Sequence, residues 1–176
     1  YMLDVAFGGD GPTVPLPLLP QLPSPLSFTN IGSQQIRLLH GPIPCQTRSL
    51  SAQKYWIYQY RNGVDRDWNS FYCFTETEWL SADFEVLNFF TSTSEESFQT
   101  FTVLVVKFLR GGGDREVYGK VMLVNGEVKM NTGGKTQVVK VCKTEAERVE
   151  ALREYFGIEL TEEEREGIRG TCTDLG

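Results

Sequence analysis

The chain of 176 residues has a net charge of −6, a pI near 4.9 and no cluster of Lys or Arg, which argues against a nucleic-acid partner. Its 40% apolar and 23% charged content is typical of a globular protein large enough for one domain or a domain and a half. Because it has no run of 18 apolar residues and its first residues lack the order of a secretory signal, we expect a cytoplasmic protein with no membrane partner.

The first predicted element is a strand in YMLDVAFGGDGP, where Asp4 lies among Met2, Leu3, Val5 and Phe7. A carboxylate among apolar neighbours must be hydrogen-bonded, paired or neutralised, and such residues mark functional sites more often than chance would place them. From the residues alone, two interpretations of Asp4 remain open. It is either a site residue or a carboxylate that accepts hydrogen bonds from backbone amides at a strand end.

A proline-rich segment follows, since six of the eight prolines lie between Pro12 and Pro25. Neither a helix nor a central strand tolerates that density, so we expect an extended connector. Its interleaved leucines favour a segment laid across its own protein: Leu16, Leu18, Leu19 and Leu22. The alternative is a PxxP ligand for an SH3-type domain.

The middle of the chain is predicted to form β-strands. Large apolar residues alternate with polar ones or form a β-branched run in IRLLH, YWIYQYR, FYCFTET and FTVLVVKFL. Asn125-Gly126 favours a type I′ turn, so VYGKVMLV and EVKM should form a tight hairpin, and GGKTQVVKV adds a further strand. RGGGDRE lacks the lysine and spacing of a phosphate loop and is interpreted as an exposed hairpin tip.

Helices are few and lie late in the chain. SADFEVLNFF is expected to start a helix capped by Ser81. Thr144 and Glu147 match a capping box, which predicts a second helix that ends at Gly157. The apolar stripe of that helix is Val149, Leu152, Tyr155 and Phe156. A second box from Thr161 to Glu164 starts a shorter helix carrying Ile168. Strands followed by helices predict an α+β fold with an antiparallel sheet or barrel.

Two motifs, YMLDVAFGGDGP and NFFTSTSEESF, together resemble those of the arylamine N-acetyltransferases, which carry a D-V-G-F-G-like strand end and an N-x-x-x-x-T-S-P-x-S-x-F-like stretch. The similarity extends through YWIYQY, FYCFTETEWLSADFEVLN and EALREYFGIELTEEE and is closest to fungal members. It implies a β-barrel domain at 1–80 with the connector 12–25, an interdomain segment at 81–98 and an α/β lid at 99–176. The family's N-terminal helical domain lies upstream of Asp4, so the resemblance implies that this chain is a C-terminal portion.

The family uses a cysteine, histidine and aspartate triad, in which the cysteine takes an acetyl group from acetyl-coenzyme A and passes it to an arylamine or arylhydrazine. Asp4 falls on the triad aspartate, and the resemblance puts the cysteine and histidine in the upstream portion of the same enzyme. We expect no metal cofactor. Two alternatives remain: a non-catalytic module that binds coenzyme A, and an acyltransferase that prefers malonyl-coenzyme A.

Further site residues follow from the same resemblance. Phe7 and Phe98 are expected to bind substrate, because an aromatic face suits a flat aromatic amine. The residues expected to contact coenzyme A are Gly8, Gly9, Gly11, Phe90, Thr93, Ser94 and Ser97. Backbone amides of a glycine loop can approach a pyrophosphate closely, and hydroxyls suit phosphate and amide groups. Ala6 and Glu95 depart from the family pattern.

The remaining titratable residues suggest little chemistry. The four cysteines, Cys45, Cys73, Cys142 and Cys172, lie far apart without a CxxC spacing, and His40 is the single histidine. We therefore expect four free thiols and no zinc site. The alternatives are a nucleophile pair of His40 with Cys45 and a nucleophilic Cys172, but both cysteines are better interpreted as inert thiols.

Overall fold

A computed structural model describes residues 1–4, 9–20, 24–47, 53–111 and 116–176. The chain divides into two compact units, of which the first contains Tyr1–Thr77 with Arg110–Tyr118 and the second Glu78–Leu109 with Gly119–Gly176. Two four-stranded antiparallel sheets and a few short helices confirm the predicted α+β class. The predicted domain limits at residues 80 and 98 stay predictions.

The first unit is built on a sheet with the strand order β1-β2-β3-β4. The strands are β1 (Ser27–Thr29), β2 (Gln35–Gly41), β3 (Tyr55–Arg61) and β4 (Asn69–Phe74). Each strand runs antiparallel to its neighbour, and a bulge between Tyr58 and Gln59 shifts the register of β3 against β4. The strands predicted in IRLLH, YWIYQYR and FYCFTET are thereby confirmed.

One face of this sheet carries the first core, whose buried members are Met2, Leu16, Ile36, Leu38, Trp56 and Tyr58. Leu16 is 1% exposed, and its backbone forms an antiparallel bridge with Met2 through two hydrogen bonds of 2.7 and 3.0 Å. Leu18 packs against the same cluster, so the connector does lie across its own protein, although Leu19 is exposed. Leu22 lies outside the described residues.

The second unit holds a sheet of order β5-β6-β7-β8. Its strands are β5 (Leu104–Arg110), β6 (Val117–Val124), β7 (Glu127–Thr132) and β8 (Lys135–Val141), of which β5 ends and β6 begins within the first unit. Val124 pairs with Glu127, which leaves Asn125 and Gly126 as a two-residue turn. Asn125 has φ of 52°, but Gly126 lacks the positive φ that a type I′ turn also requires at its second position, so the predicted tight hairpin is confirmed and its turn type is not.

Helices α1 (Ser81–Thr93) and α2 (Phe98–Phe101) precede this sheet, and α3 (Glu145–Ala151) and α4 (Glu162–Glu166) follow it. A π-helical turn, Leu152–Phe156, continues α3 and ends at Gly157, whose φ of 72° supplies the predicted stop. The second core combines one face of the sheet with these last turns, through Val121, Leu123, Val128, Cys142, Ala151 and Phe156. No helix among the described residues is long and apolar enough to span a bilayer.

Three local predictions need correction. The cap of α1 is Leu80 and not Ser81, because the Asp83 carboxylate accepts a hydrogen bond from the Leu80 amide and so moves the helix start. Ile168 lies beyond α4, which ends before Gly167. The first strand is a single bridge at Met2 among the described residues, since 5–8 lie outside them. The tip of RGGGDRE, 112–115, lies outside them as well.

Candidate functional site

Asp4 has a defined partner in the first unit. The hydroxyl of Tyr72, on β4, donates a hydrogen bond of 2.6 Å to Asp4 Oδ2. The ring of Tyr72 stacks on that of Tyr58, its cross-strand neighbour on β3, with 5.0 Å between centroids. The core face of the sheet therefore holds the hydroxyl that orients the Asp4 carboxylate.

Both tyrosines keep their protons over the physiological pH range. Burial, the hydrogen bond to Asp4 and the charge of Asp4 raise the pKa of Tyr72 well above its usual value near 10. Burial and the nearby carboxylates of Asp10 and Asp4 raise the pKa of Tyr58 in the same direction. Asp4 therefore faces a neutral hydrogen-bond donor whose ionisation would cost the folded state free energy.

Replacing Tyr72 by Phe should lower the free energy of unfolding by about 1.5 kcal/mol at neutral pH, because a hydrogen bond to a carboxylate is lost from a partly buried place. A pKa raised in the folded state contributes stability below pH 10 that is lost as the pH rises further, so the alkaline loss of stability should also be smaller in the variant. Urea unfolding between pH 7 and 11 measures both effects.

Tyr60→Phe is the matched control, because the Tyr60 hydroxyl makes no hydrogen bond among the described residues. An unchanged stability in Tyr72→Phe, or an equal loss in Tyr60→Phe, would contradict the assigned hydrogen bond.

The loop after Asp4 is held by buried amide side chains. Asn30, 4% exposed, donates from Nδ2 to the Gly11 carbonyl at 3.0 Å, and its Oδ1 accepts from the amide and the hydroxyl of Thr13, both at 2.8 Å. The Tyr58 hydroxyl donates to the Asp10 carbonyl at 2.7 Å. Gln34 accepts a 2.7 Å hydrogen bond from Asn30 Nδ2. The segment from Asp10 to Thr13 is therefore held by the side chains of Asn30 and Tyr58, and Gln34 in turn supports Asn30.

The backbone conformation and the burial of this loop explain why it contains glycines. Gly9 has φ of 81°, in the left-handed region where a Cβ is unfavourable, and both Gly9 and Gly11 are buried. A pre-ordered backbone is what a loop that binds an anion through its amides requires. Phe7 and Gly8 lie outside the described residues, so their predicted roles stay predictions.

The other predicted contacts with coenzyme A lie in the second unit. Phe90 and Thr93 belong to α1, Ser94 caps its C-terminus, and Ser97 caps α2, whose first residue is Phe98. The Ser97 side chain is buried and donates to the Thr91 carbonyl at 2.8 Å, while the Thr93 hydroxyl donates back into its own helix. These hydroxyls thus hold the helix junction and retain only acceptor lone pairs for a ligand. The rings of Phe90 and Phe98 are exposed.

The alternative nucleophiles have ordinary surroundings. The ring of His40 packs on Trp56 at a centroid distance of 4.5 Å, and Cys45 is exposed in the loop beyond β2. Cys172 is exposed and its thiol contacts the Thr100 carbonyl. All four cysteines are free thiols. Within the described ranges, no group of three or more His, Cys, Asp or Glu residues is arranged to hold a metal ion.

Sequence reasoning missed the polar residues that support the site: Tyr72, Tyr58, Asn30 and Gln34. Tyr72 lies 68 residues from Asp4, on a strand whose face is set by its register with β3. The alternation in FYCFTET does place Tyr72 on the same strand face as Phe74. That pattern signals burial of the ring but does not identify the acceptor of its hydroxyl.

Comparison with known proteins identifies the family of this chain. A family profile described as N-acetyltransferase matches residues 1–165. N-malonyltransferase FDB2 of Fusarium pseudograminearum is 34% identical over 174 residues, which cover 96% of this chain and 50% of that protein. FDB2 of Gibberella moniliformis is 34% identical over 180 residues, covering 96% of this chain and 49% of that protein. The chain spans about half the length of the curated relatives it matches.

Solved structures share the fold at lower identity. Arylamine N-acetyltransferase from Salmonella typhimurium has a TM-score of 0.68 and 23% identity, covering 94% of this chain and 54% of that one. The Mycobacterium marinum enzyme in complex with CoA has a TM-score of 0.51 and 19% identity, covering 71% of this chain and 38% of that one. On the profile match and the identity to the two FDB2 proteins, the chain belongs to the arylamine N-acetyltransferase family.

Proposed function

We propose that this chain contributes the triad aspartate and part of the ligand cleft to a cytosolic acyl-coenzyme A-dependent N-acyltransferase. The acceptor is a small arylamine or arylhydrazine, and the acyl group travels through a cysteine thioester. The observation that carries the proposal is the family match over residues 1–165 together with the hydrogen bond that orients Asp4, the residue on the family's triad position.

The chemistry assigns Asp4 an orienting role. A thiol reacts as its thiolate, an adjacent imidazolium lowers the pKa of that thiol, and a carboxylate holds the imidazole in the productive tautomer. The thiolate attacks the thioester carbonyl and coenzyme A leaves as its thiol. The amine nitrogen then attacks the acyl-cysteine and frees the cysteine. The cysteine and the histidine would come from protein outside these 176 residues, which is compatible with relatives about twice as long.

Helix α1 supports the participation of a further polypeptide portion. Its 13 residues include none that is buried, although five large apolar side chains are between 46% and 72% exposed: Phe84, Val86, Leu87, Phe89 and Phe90. An exposed apolar patch of this kind marks an interaction surface. We assign it to the enzyme portion that carries the cysteine and histidine.

The proposal also concerns which acyl-coenzyme A is the preferred donor. The resemblance implied acetyl-coenzyme A, whereas both curated relatives are named N-malonyltransferases. We therefore propose malonyl-coenzyme A as the preferred donor and acetyl-coenzyme A as the weaker one. The Mycobacterium marinum structure in complex with CoA supports a coenzyme A thioester in either case.

A chimaera tests both parts. This chain replaces the matched half of Fusarium FDB2, with native FDB2 as the positive control, and the N-acylated arylamine is measured by mass spectrometry with each donor. We expect transfer by the chimaera, none by either half alone, and faster turnover with malonyl-coenzyme A. Faster turnover with acetyl-coenzyme A would overturn the assignment of malonyl-coenzyme A as the preferred donor. A folded chimaera that binds coenzyme A without transfer would favour the non-catalytic binding module.

A further inference from the structure

Two arginines stack on one indole on the face of the first sheet opposite the core. The register pairs Arg37 with Gln59 and Gln35 with Arg61, so these side chains alternate with the core residues of the same strands. The guanidinium carbon of Arg37 lies 4.1 Å from the centroid of the Trp68 ring, and that of Arg61 lies 4.6 Å from it. We call these two side chains the guanidinium pair.

The pair has no carboxylate partner among the described residues. Four other arginines of the chain form ion pairs with a neighbouring acid: Arg66, Arg148, Arg153 and Arg169. The guanidinium pair is instead held by neutral amides, with Arg37 Nε donating to Gln59 Oε1 at 2.8 Å and Arg61 Nε donating to Gln35 Oε1 at 2.8 Å. Two half-buried positive charges thus share one indole, and no carboxylate among the described residues compensates them, in a chain of net charge −6.

Several donors of the pair are unused. Within the described ranges, Nη1 and Nη2 of Arg37 and Nη1 of Arg61 donate to no protein atom. The two glutamines and the indole fix the orientation of both groups, which lowers the entropy cost of binding. Burial and the charge of Arg61 both lower the pKa of Arg37, as expected for like charges that repel.

We propose that the guanidinium pair binds a doubly charged phosphate group, free or as a small phosphomonoester, at a site on this outer sheet face. Guanidinium groups match the oxygens of phosphate in geometry, and an anion of two negative charges would balance the repulsion between the two arginines. A small anion also agrees with the absence of a lysine and arginine cluster in the sequence, which argues against a polyanion.

Calorimetric titration with inorganic phosphate and with glycerol 2-phosphate, at constant ionic strength kept with sodium chloride, tests the site. Saturable binding is expected, and Arg37→Gln or Arg61→Gln should weaken it by about ten- to hundredfold, the loss typical of a charged hydrogen bond. Tighter binding of glycerol 2-phosphate than of inorganic phosphate would identify the ester as the source, and the reverse order would identify the free ion.

Arg66→Gln is the matched control, since it removes the same charge from an exposed arginine that pairs with Asp65. The control should bind phosphate as the unchanged chain does. Arg37→Lys keeps the positive charge but lacks the planar guanidinium group. It is the second variant to measure if a glutamine variant does not fold. Absence of saturable binding, or an equal loss in Arg66→Gln, would overturn the proposal. The proposal would also be overturned if Arg37→Gln had a lower thermal stability in phosphate-free buffer while phosphate had no effect on the unchanged chain. The guanidinium pair would then have a purely structural role.

Discussion

Asp4→Asn should lower the rate of acyl transfer by about three to four orders of magnitude while the protein stays folded, because an amide cannot hold the catalytic imidazole in its productive tautomer. An amide oxygen still accepts the 2.6 Å hydrogen bond from Tyr72, so the local packing survives. The measurement is single-turnover acylation and steady-state transfer in the chimaera with FDB2, with folding followed by circular dichroism.

Asp65→Asn provides the control for this variant. Asp65 is an exposed carboxylate whose ion pair with Arg66 spans 3.8 Å at the surface, so its loss should leave transfer unchanged. Turnover by Asp4→Asn within a factor of about ten of the unchanged chimaera would refute the triad assignment.

The second large effect is expected for Asn30→Ala, which should lower the free energy of unfolding by about 2 to 4 kcal/mol. The substitution leaves the Gly11 carbonyl, the Thr13 amide and Gln34 Oε1 without their partner in a buried place, and each unsatisfied group costs about 1 to 3 kcal/mol unless water enters. Denaturant unfolding gives the stability, and hydrogen exchange of the Thr13 amide reports the release of the loop.

Asn62→Ala serves as the comparison, because Asn62 lies at the exposed end of the same network, and within the described ranges its side chain makes one hydrogen bond, accepted from Gln34 Nε2 at 3.2 Å. It should cost less than about 1 kcal/mol and leave the Thr13 amide protected. Equal losses in the two variants, or an unchanged exchange rate in Asn30→Ala, would show that Asn30 does not hold the loop.

Short-range chemistry in the sequence predicted much of this protein. The Asn125-Gly126 turn, the Thr144 cap and the stop at Gly157 each depend on one or two side chains and their backbone preferences, and all three are present in the structure. Asp4 stands out for the same reason, since a carboxylate within an apolar run is anomalous whatever the fold. Local rules suffice where the partners lie within a few residues.

Tertiary structure decided the environment of the site. Tyr72, which donates to Asp4, is 68 residues away, and its face of the sheet is set by the pairing of β4 with β3. The guanidinium pair likewise depends on the register of β2 and β3, and Asn30 reaches Thr13, 17 residues away, because two segments outside the strands come together. A one-residue slip would move Tyr72, Arg37 and Arg61 to the other face of the sheet, so their contacts cannot be deduced from sequence spacing.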